Sequence, residues 1–105
     1  MSRDQAKKIV ETYAQRLKSQ GFLFNQIYLY GSFAKGTSSN WSDIDVCVVS
    51  NKFVGKDWNK NEQELWRLRR KIDLRIEPVG MSSEEFNGLS PLASEIKKTG
   101  IAIMV

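Results

Sequence analysis

Two acidic residues inside an otherwise apolar segment constrain this chain more than any other feature. Residues 43–49 read DIDVCVV, an alternation typical of a β-strand that places Asp43 and Asp45 on one face. Ten residues earlier stands the dipeptide Gly31-Ser32. Glycine lets the backbone approach a ligand closely, and serine supplies a hydroxyl group. Because carboxylates on one strand face repel each other, we expect a positive charge to lie between them.

The spacing of apolar residues predicts one α/β domain spanning residues 1–105. Ser2 and Gln5 form a capping-box pattern for a first helix, which Gly21 would end. Further helices are predicted at about 59–70 and from Ser90-Pro91 to Gly100. Strands are predicted at 26–30, 43–49, 72–78 and 101–105. This order predicts a small sheet with helices against one face.

The composition excludes several kinds of chemistry. Histidine is absent, which excludes Ser-His-Asp and Cys-His catalysis and histidine-ligated zinc. The single cysteine, Cys47, lies in an apolar run and is expected to be a buried hydrophobic residue. Any acid–base or metal chemistry must therefore use carboxylates, lysine or tyrosine, which favours hard, oxygen-bound cations.

The charge and hydropathy of the chain bear on its partners and location. The net charge of +4 favours nucleotides or nucleic acid as partners, or reflects only a lysine-rich surface. No apolar stretch approaches the roughly 20 residues that span a bilayer, and the N-terminus shows no apolar signal segment. We therefore expect a cytoplasmic protein without a membrane partner.

A third carboxylate, Asp73, would join Asp43 and Asp45 if the strand at 72–78 lies beside the strand at 43–49. Two divalent cations roughly 3.5–4 Å apart would resolve the repulsion and polarise a phosphate group. Magnesium fits best, because it takes carboxylate oxygens and substrate phosphates while keeping several waters. Glu77 is either a spare ligand or the partner of Arg75 in a surface ion pair.

The pattern Gly31-Ser32, ten residues, Asp43-Ile44-Asp45 resembles the signature of the polymerase-beta-type nucleotidyltransferase superfamily. The strings GSFAKG at 31–36 and SDIDV at 42–46 resemble its minimal nucleotidyltransferase branch, which is related to kanamycin nucleotidyltransferase. That branch carries a third aspartate on a later strand, which Ile72-Asp73-Leu74 matches. The resemblance covers essentially the whole chain. It implies a polymerase-beta-like fold, a small mixed sheet of about four strands with helices packed mainly on one face.

The resemblance also implies roles for individual residues. Ser32 would contact the terminal phosphates of a nucleotide, and Gly31 would permit that approach. The three aspartates Asp43, Asp45 and Asp73 would hold two Mg²⁺ ions, and Asp73 would help to deprotonate the acceptor. Lys35 stands where relatives often carry arginine, and it is either a phosphate ligand or an ordinary surface lysine.

The reaction implied by the resemblance moves a nucleoside monophosphate, AMP from ATP being the expected case, onto an acceptor hydroxyl with release of pyrophosphate. Minimal nucleotidyltransferases are typically encoded beside an all-helical protein of the HEPN or substrate-binding-domain type, in toxin–antitoxin pairs. The nucleotidyltransferase is then the antitoxin, in some cases by adenylylating a tyrosine of the toxin. A separate helical partner is therefore implied. Residues 101–105 form either an edge strand for a homo- or hetero-oligomer or an interior strand.

Two other functions are compatible with the sequence. The fold could serve only as a binding module that neutralises a partner by contact, although Gly31, Ser32 and all three aspartates are present. Alternatively, the basic run at 66–71 could bind RNA or an acidic partner, or it is a solvated helix flank. The tryptophans either stack a base or pack in a core or interface.

Overall fold

A mixed sheet of four strands organises the chain, and the computed structural model describes all 105 residues. The elements are α1 (Arg3–Ser19), β1 (Gln26–Tyr30), α2 (Ser32–Lys35), β2 (Ile44–Val49), α3 (Trp58–Leu68), β3 (Ile76–Met81), α4 (Ser83–Asn87), α5 (Pro91–Thr99) and β4 (Ile101–Ala102). A short 3-10 turn at Asn51–Phe53 follows β2. The strand order is β3-β2-β1-β4, with β2 and β3 parallel and the other two pairs antiparallel. The four-stranded mixed sheet expected from the sequence is confirmed.

The first helix begins as its sequence predicts. The Gln5 amide donates to the Ser2 hydroxyl at 3.1 Å, and the Ser2 amide donates to the Gln5 side chain at 2.7 Å. These two bonds satisfy donors that a helix start leaves unpaired. The buried face of α1 packs on α3, where the Tyr13 hydroxyl donates to the Leu65 carbonyl at 2.8 Å.

Helices cover the two faces of the sheet unequally. The long helices α1 and α3 enclose the larger core, whose strand residues are Ile27, Leu29, Ile44, Val46, Val48 and Ile76. The short helices α4 and α5 cover the other face over a smaller core. Cys47 lies in this smaller core, where burial raises the pKa of its thiol to about 12. The predicted buried cysteine and the helices mainly on one face are both confirmed.

The third strand differs from its prediction. It begins at Ile76 and continues to Met81, whereas the alternation of apolar residues predicted residues 72–78. The preceding residues form a turn in which the Arg75 amide donates to the Asp73 carboxylate at 2.9 Å. An aspartate that binds its own backbone two residues on favours a turn over a strand. The prediction that Asp73 lies on the strand is therefore wrong.

The helix α4 was not predicted, although its sequence carries a signal. Ser82 and Glu85 form a second capping box, in which the Glu85 amide donates to the Ser82 hydroxyl at 3.1 Å. No helix in the structure is both long and apolar enough to cross a membrane.

The two edges of the sheet differ in their free backbone groups. At the β3 edge, the Ile76 amide donates to the Asp73 carbonyl, Pro78 has no amide hydrogen, and the Gly80 amide donates to the Glu62 carboxylate at 2.8 Å. This edge is therefore closed to the addition of another strand. The short strand β4 forms the other edge, so residues 101–105 are not an interior strand.

Removing the buried hydroxyl of Tyr13 should loosen the contact between α1 and α3. We expect Tyr13→Phe to lower the free energy of unfolding by about 1–3 kcal/mol, because the buried Leu65 carbonyl loses its donor. Urea denaturation measures this loss. Tyr28→Phe is the matched control, since the Tyr28 hydroxyl makes no hydrogen bond in the structure and the same atom is removed. Equal losses of unfolding free energy in the two variants would contradict a stabilising role of the hydrogen bond from Tyr13 to Leu65.

Candidate functional site

The chain turns sharply after β1, and the turn lies directly against an acidic side chain. Gly31 has φ 75° and ψ −149°, a backbone conformation that is essentially restricted to glycine. A Cβ atom at this position would overlap the carboxylate of Asp45. The register of the antiparallel pair explains the contact, because Tyr30, the last residue of β1, lies opposite Asp45. Gly31 therefore has both a conformational and a steric reason to be glycine.

The short helix α2 that follows Gly31 is anchored to the first helix. The guanidinium of Arg3 donates to the carbonyls of Phe33 at 3.3 Å and Ala34 at 3.0 Å. Gly36 ends the helix in the left-handed conformation. Ser32 is half-buried at the helix start, and its hydroxyl has no hydrogen-bond partner in the protein. The turn is therefore held in place while the serine hydroxyl stays available to a ligand.

Three carboxylates lie at the start of β2 and β3. Asp45 is paired with Glu77 across the parallel strands, and Asp43 immediately precedes β2. Burial raises the pKa of the Asp45 carboxyl, and the nearby charges of Asp43 and Glu95 raise it further. Burial, followed by the charge of Asp43, also raises the pKa of Glu77. Burial and mutual repulsion thus both disfavour the charged forms of Asp45 and Glu77, and the charge of Arg69 only partly offsets this at Glu77.

The structure does not bring Asp73 together with Asp43 and Asp45 as predicted. Both oxygens of Asp73 accept from the guanidinium of Arg75, at 2.9 and 2.7 Å. These bonds lower the pKa of Asp73. Arg75 is therefore paired with Asp73, and the alternative that it pairs with Glu77 is wrong. Glu77 occupies the strand position beside Asp45 that the sequence assigned to Asp73.

The metal-binding capacity of this cluster is limited. No three side chains among its carboxylates are arranged so as to hold a metal ion by themselves. The available donors are all carboxylate oxygens, with no histidine or thiol among them. Such a donor set fits Mg²⁺, which is commonly held by one or two carboxylates together with substrate phosphates and waters. A cage built entirely from protein ligands does not fit.

Helix α5 brings a fourth acidic residue, Glu95, to the site. Its carboxylate lies 2.6 Å from the ammonium group of Lys35 at the end of α2. The pKa of the Tyr30 hydroxyl is raised to about 12. Burial is the main cause, and the charges of Asp45 and Glu95 are among the smaller ones. Sequence reasoning missed Glu95. No local signal marks it, because only the packing of α5 on the sheet places it here.

The remaining predicted contacts lie away from the acidic cluster or on the surface. Trp41 is 92% exposed, and Trp58 and Trp66 are also exposed, so none of the three packs in the core, and their packing in an interface stays a prediction. The basic run at 66–71 lies at the end of α3, where the Arg69 guanidinium stacks on the Trp66 ring at 4.8 Å. The hypothesis that this surface or the tryptophans bind a nucleic acid stays a prediction.

A family model described as nucleotidyltransferase domain matches residues 7–101. No curated protein matches the sequence.

Solved structures with the same fold include three of particular interest. A candidate nucleotidyltransferase from Sulfolobus solfataricus has a TM-score of 0.71 and 16% identity, over 95% of this chain and 80% of the other. A toxin–antitoxin structure with AMP-PNP has a TM-score of 0.65 and 24% identity, over 90% and 72%. A mutant of the toxin–antitoxin MntA-HpeT has a TM-score of 0.62 and 19% identity, over 99% and 73%. These similarities confirm the polymerase-beta-like fold.

Adding one carbon atom at Gly31 should disturb both the turn and Asp45. We expect Gly31→Ala to lower the free energy of unfolding by more than the roughly 1–3 kcal/mol of backbone strain, because the new methyl group also displaces the Asp45 carboxylate. Gly21→Ala is the control, since Gly21 has a similar φ of 77° but nothing within 4 Å of the added atom. Urea denaturation compares the two. Equal losses, or no partial recovery in Gly31→Ala/Asp45→Ala, would contradict the contact.

Replacing a carboxylate by an amide should change the stability of the protein in opposite directions at Asp45 and at Asp73. The raised pKa of Asp45 means that the folded state binds its proton more tightly than the unfolded chain, so stability falls as pH rises through and above the ordinary carboxyl range. The lowered pKa of Asp73 means the reverse, and its stabilisation is present at neutral pH and lost in acid.

At pH 7 without divalent cations, we therefore expect Asp45→Asn to raise the free energy of unfolding by roughly 0.5 kcal/mol, a value reduced for solvent screening. Asp73→Asn should lower it by a similar amount, and this loss should begin to shrink only as the pH falls below the ordinary Asp pKa of 3.8. Thermal unfolding across pH 3–8 measures both effects. A stabilising Asp73→Asn or a destabilising Asp45→Asn would show that these environments are assigned incorrectly.

Proposed function

Because this chain belongs to the nucleotidyltransferase domain family, we propose that it transfers AMP from ATP to an acceptor hydroxyl and releases pyrophosphate. The observation that carries this proposal is the contact of the Gly31 backbone with Asp45. The turn at Gly31, where phosphate oxygens can approach the backbone (the phosphate-approach turn), therefore lies against a group of carboxylates whose charges are not fully neutralised. One similar structure contains AMP-PNP, which supports ATP as the donor.

The turn would bind the triphosphate. Without a side chain, Gly31 allows phosphate oxygens to approach the backbone, and the free hydroxyl of Ser32 can donate to them. Arg3 holds α2 from the side of α1, so the position of Ser32 is established before the nucleotide binds. A rigid binding loop of this kind orients the α-phosphate without a further loss of conformational entropy.

The carboxylates Asp43, Asp45 and Glu77 would hold Mg²⁺, two ions in the complete site, together with the phosphates. When bound, the ions neutralise the triphosphate and lower the pKa of the acceptor hydroxyl. We assign the third carboxylate to Glu77 rather than to Asp73, because Arg75 already occupies both oxygens of Asp73. In the reaction, the acceptor oxygen bonds to the α-phosphorus, the bond to the β-phosphate oxygen breaks, and the Glu77 carboxylate accepts the hydroxyl proton.

The acceptor in this proposal is a side-chain hydroxyl of a separate, all-helical protein, of the HEPN-like or substrate-binding-domain-like type. Two of the similar structures are toxin–antitoxins, which supports a partner protein and a role as the antitoxin. The exposed indole of Trp41, two residues before Asp43, offers an apolar contact beside the site for such a partner.

Radiolabelled nucleotides test the reaction directly. Incubation with Mg²⁺ and a candidate partner, an all-helical product of an adjacent gene, should label that partner from α-³²P-ATP and not from γ-³²P-ATP. We expect Asp43→Asn and Glu77→Gln to reduce labelling by roughly 10²–10³-fold, because each removes charge stabilisation in the transition state. Asp73→Asn is the matched control and should retain most of the activity.

The alternatives give different results. A tight complex with no label from any nucleotide would favour a binding module that acts by contact alone. Salt-dependent RNA binding that survives Asp43→Asn would favour a nucleic-acid-binding domain. Full activity in Glu77→Gln with loss in Asp73→Asn would overturn our assignment of the third carboxylate.

A further inference from the structure

The ion pair between Lys35 and Glu95 joins two distant parts of the chain. The two other ion pairs, Arg67 with Glu64 and Arg75 with Asp73, connect residues two or three positions apart. Lys35 lies at the end of α2, which begins at the phosphate-approach turn, and Glu95 lies on α5. The pair is therefore a product of the tertiary structure.

Both partners are held by well-anchored elements. Arg3 fixes the carbonyls of α2, and the buried residues Ala93 and Ile96 hold α5 against the sheet on either side of Glu95. The charged groups themselves stay accessible, since the side chains of Lys35 and Glu95 are 43% and 38% exposed. A ligand can thus reach the lysine without moving the backbone.

The pair borders the acidic cluster. Lys35 ends the short helix that follows Gly31, and Gly31 lies against the Asp45 carboxylate. Helix α5, which carries Glu95, packs on β1, whose last residue Tyr30 lies opposite Asp45. Lys35 is consequently a cation beside the proposed triphosphate position, and a carboxylate already occupies it. An anionic ligand that uses Lys35 must displace that carboxylate.

We propose that Glu95 is a displaceable partner of Lys35, which the triphosphate of the nucleotide replaces on binding; this inference rests on the proposed function. A triphosphate carries about four negative charges and outcompetes one carboxylate for a lysine ammonium. An exposed ion pair contributes little to stability, so its exchange costs little. Glu95 is then a positioning residue that acts through Lys35 and lowers the affinity for nucleotide.

A double-mutant cycle on nucleotide affinity separates this role from simple charge repulsion. The probe is α,β-methylene-ATP with Mg²⁺, which cannot undergo cleavage between its α- and β-phosphates, and calorimetry measures its Kd. We expect Glu95→Gln to tighten binding about two- to fivefold and Lys35→Met to weaken it. In the Lys35→Met background, Glu95→Gln should have a clearly smaller effect. Glu84→Gln, an exposed glutamate on α4 without an ion pair, controls for net charge and should leave Kd unchanged.

Each other outcome contradicts the inference in a distinct way. An equal effect of Glu95→Gln in both backgrounds would mean that Glu95 only repels phosphate. Weaker binding in Glu95→Gln, or an unchanged Kd with a lowered melting temperature, would mean that the pair holds Lys35 in place or serves stability. Absence of binding in the wild-type protein and every variant would overturn the proposed function as well. Normal wild-type binding with an additive cycle would overturn this inference alone.

Discussion

The contact between the Gly31 backbone and the Asp45 carboxylate is the constraint on which the site depends. It exists because β1 and β2 pair antiparallel with Tyr30 opposite Asp45, so the chain leaves β1 directly beside the acidic residue. No residue with a side chain fits at Gly31, since the conformation and the neighbouring carboxylate both exclude it. The turn and the carboxylates are thus one unit, and shifting the register of this strand pair would separate them.

The carboxylates of this site repel one another, which is unfavourable for stability. Asp43, Asp45 and Glu77 lie at the start of neighbouring strands, and burial together with the neighbouring negative charges raises the pKa of Asp45 and of Glu77. The two cores on either side of the sheet provide the stability that tolerates this repulsion. Such a compromise is typical of a functional site, and in the function that we propose a cation and phosphates would complete its electrostatics.

Local signals explain which predictions succeeded. The first helix carries a capping box, and the strand Gln26–Tyr30 is a short run of residues that favour a pleated sheet. The prediction that Asp73 lies on a strand was wrong, because the alternation of apolar residues continues through residues 72–78 and does not show where the strand begins. The bonds of Asp73 to the amide and guanidinium of Arg75 favoured a turn there, and the strand began at Ile76. That shift moved Glu77 beside Asp45.

The sequence by itself determined the family, the first helix, the first two strands and the spacing of Gly31 and Ser32 from Asp43 and Asp45, because each of these depends on short-range pattern. Only the tertiary structure decided that Glu77 lies beside Asp45 and that Glu95 from α5 pairs with Lys35. The physical reason is that strand register and helix packing depend on contacts between segments far apart in the chain. Those contacts are governed by the burial of Ala93, Ile96 and Ile76, which carry no chemical signal of the charged groups beside them.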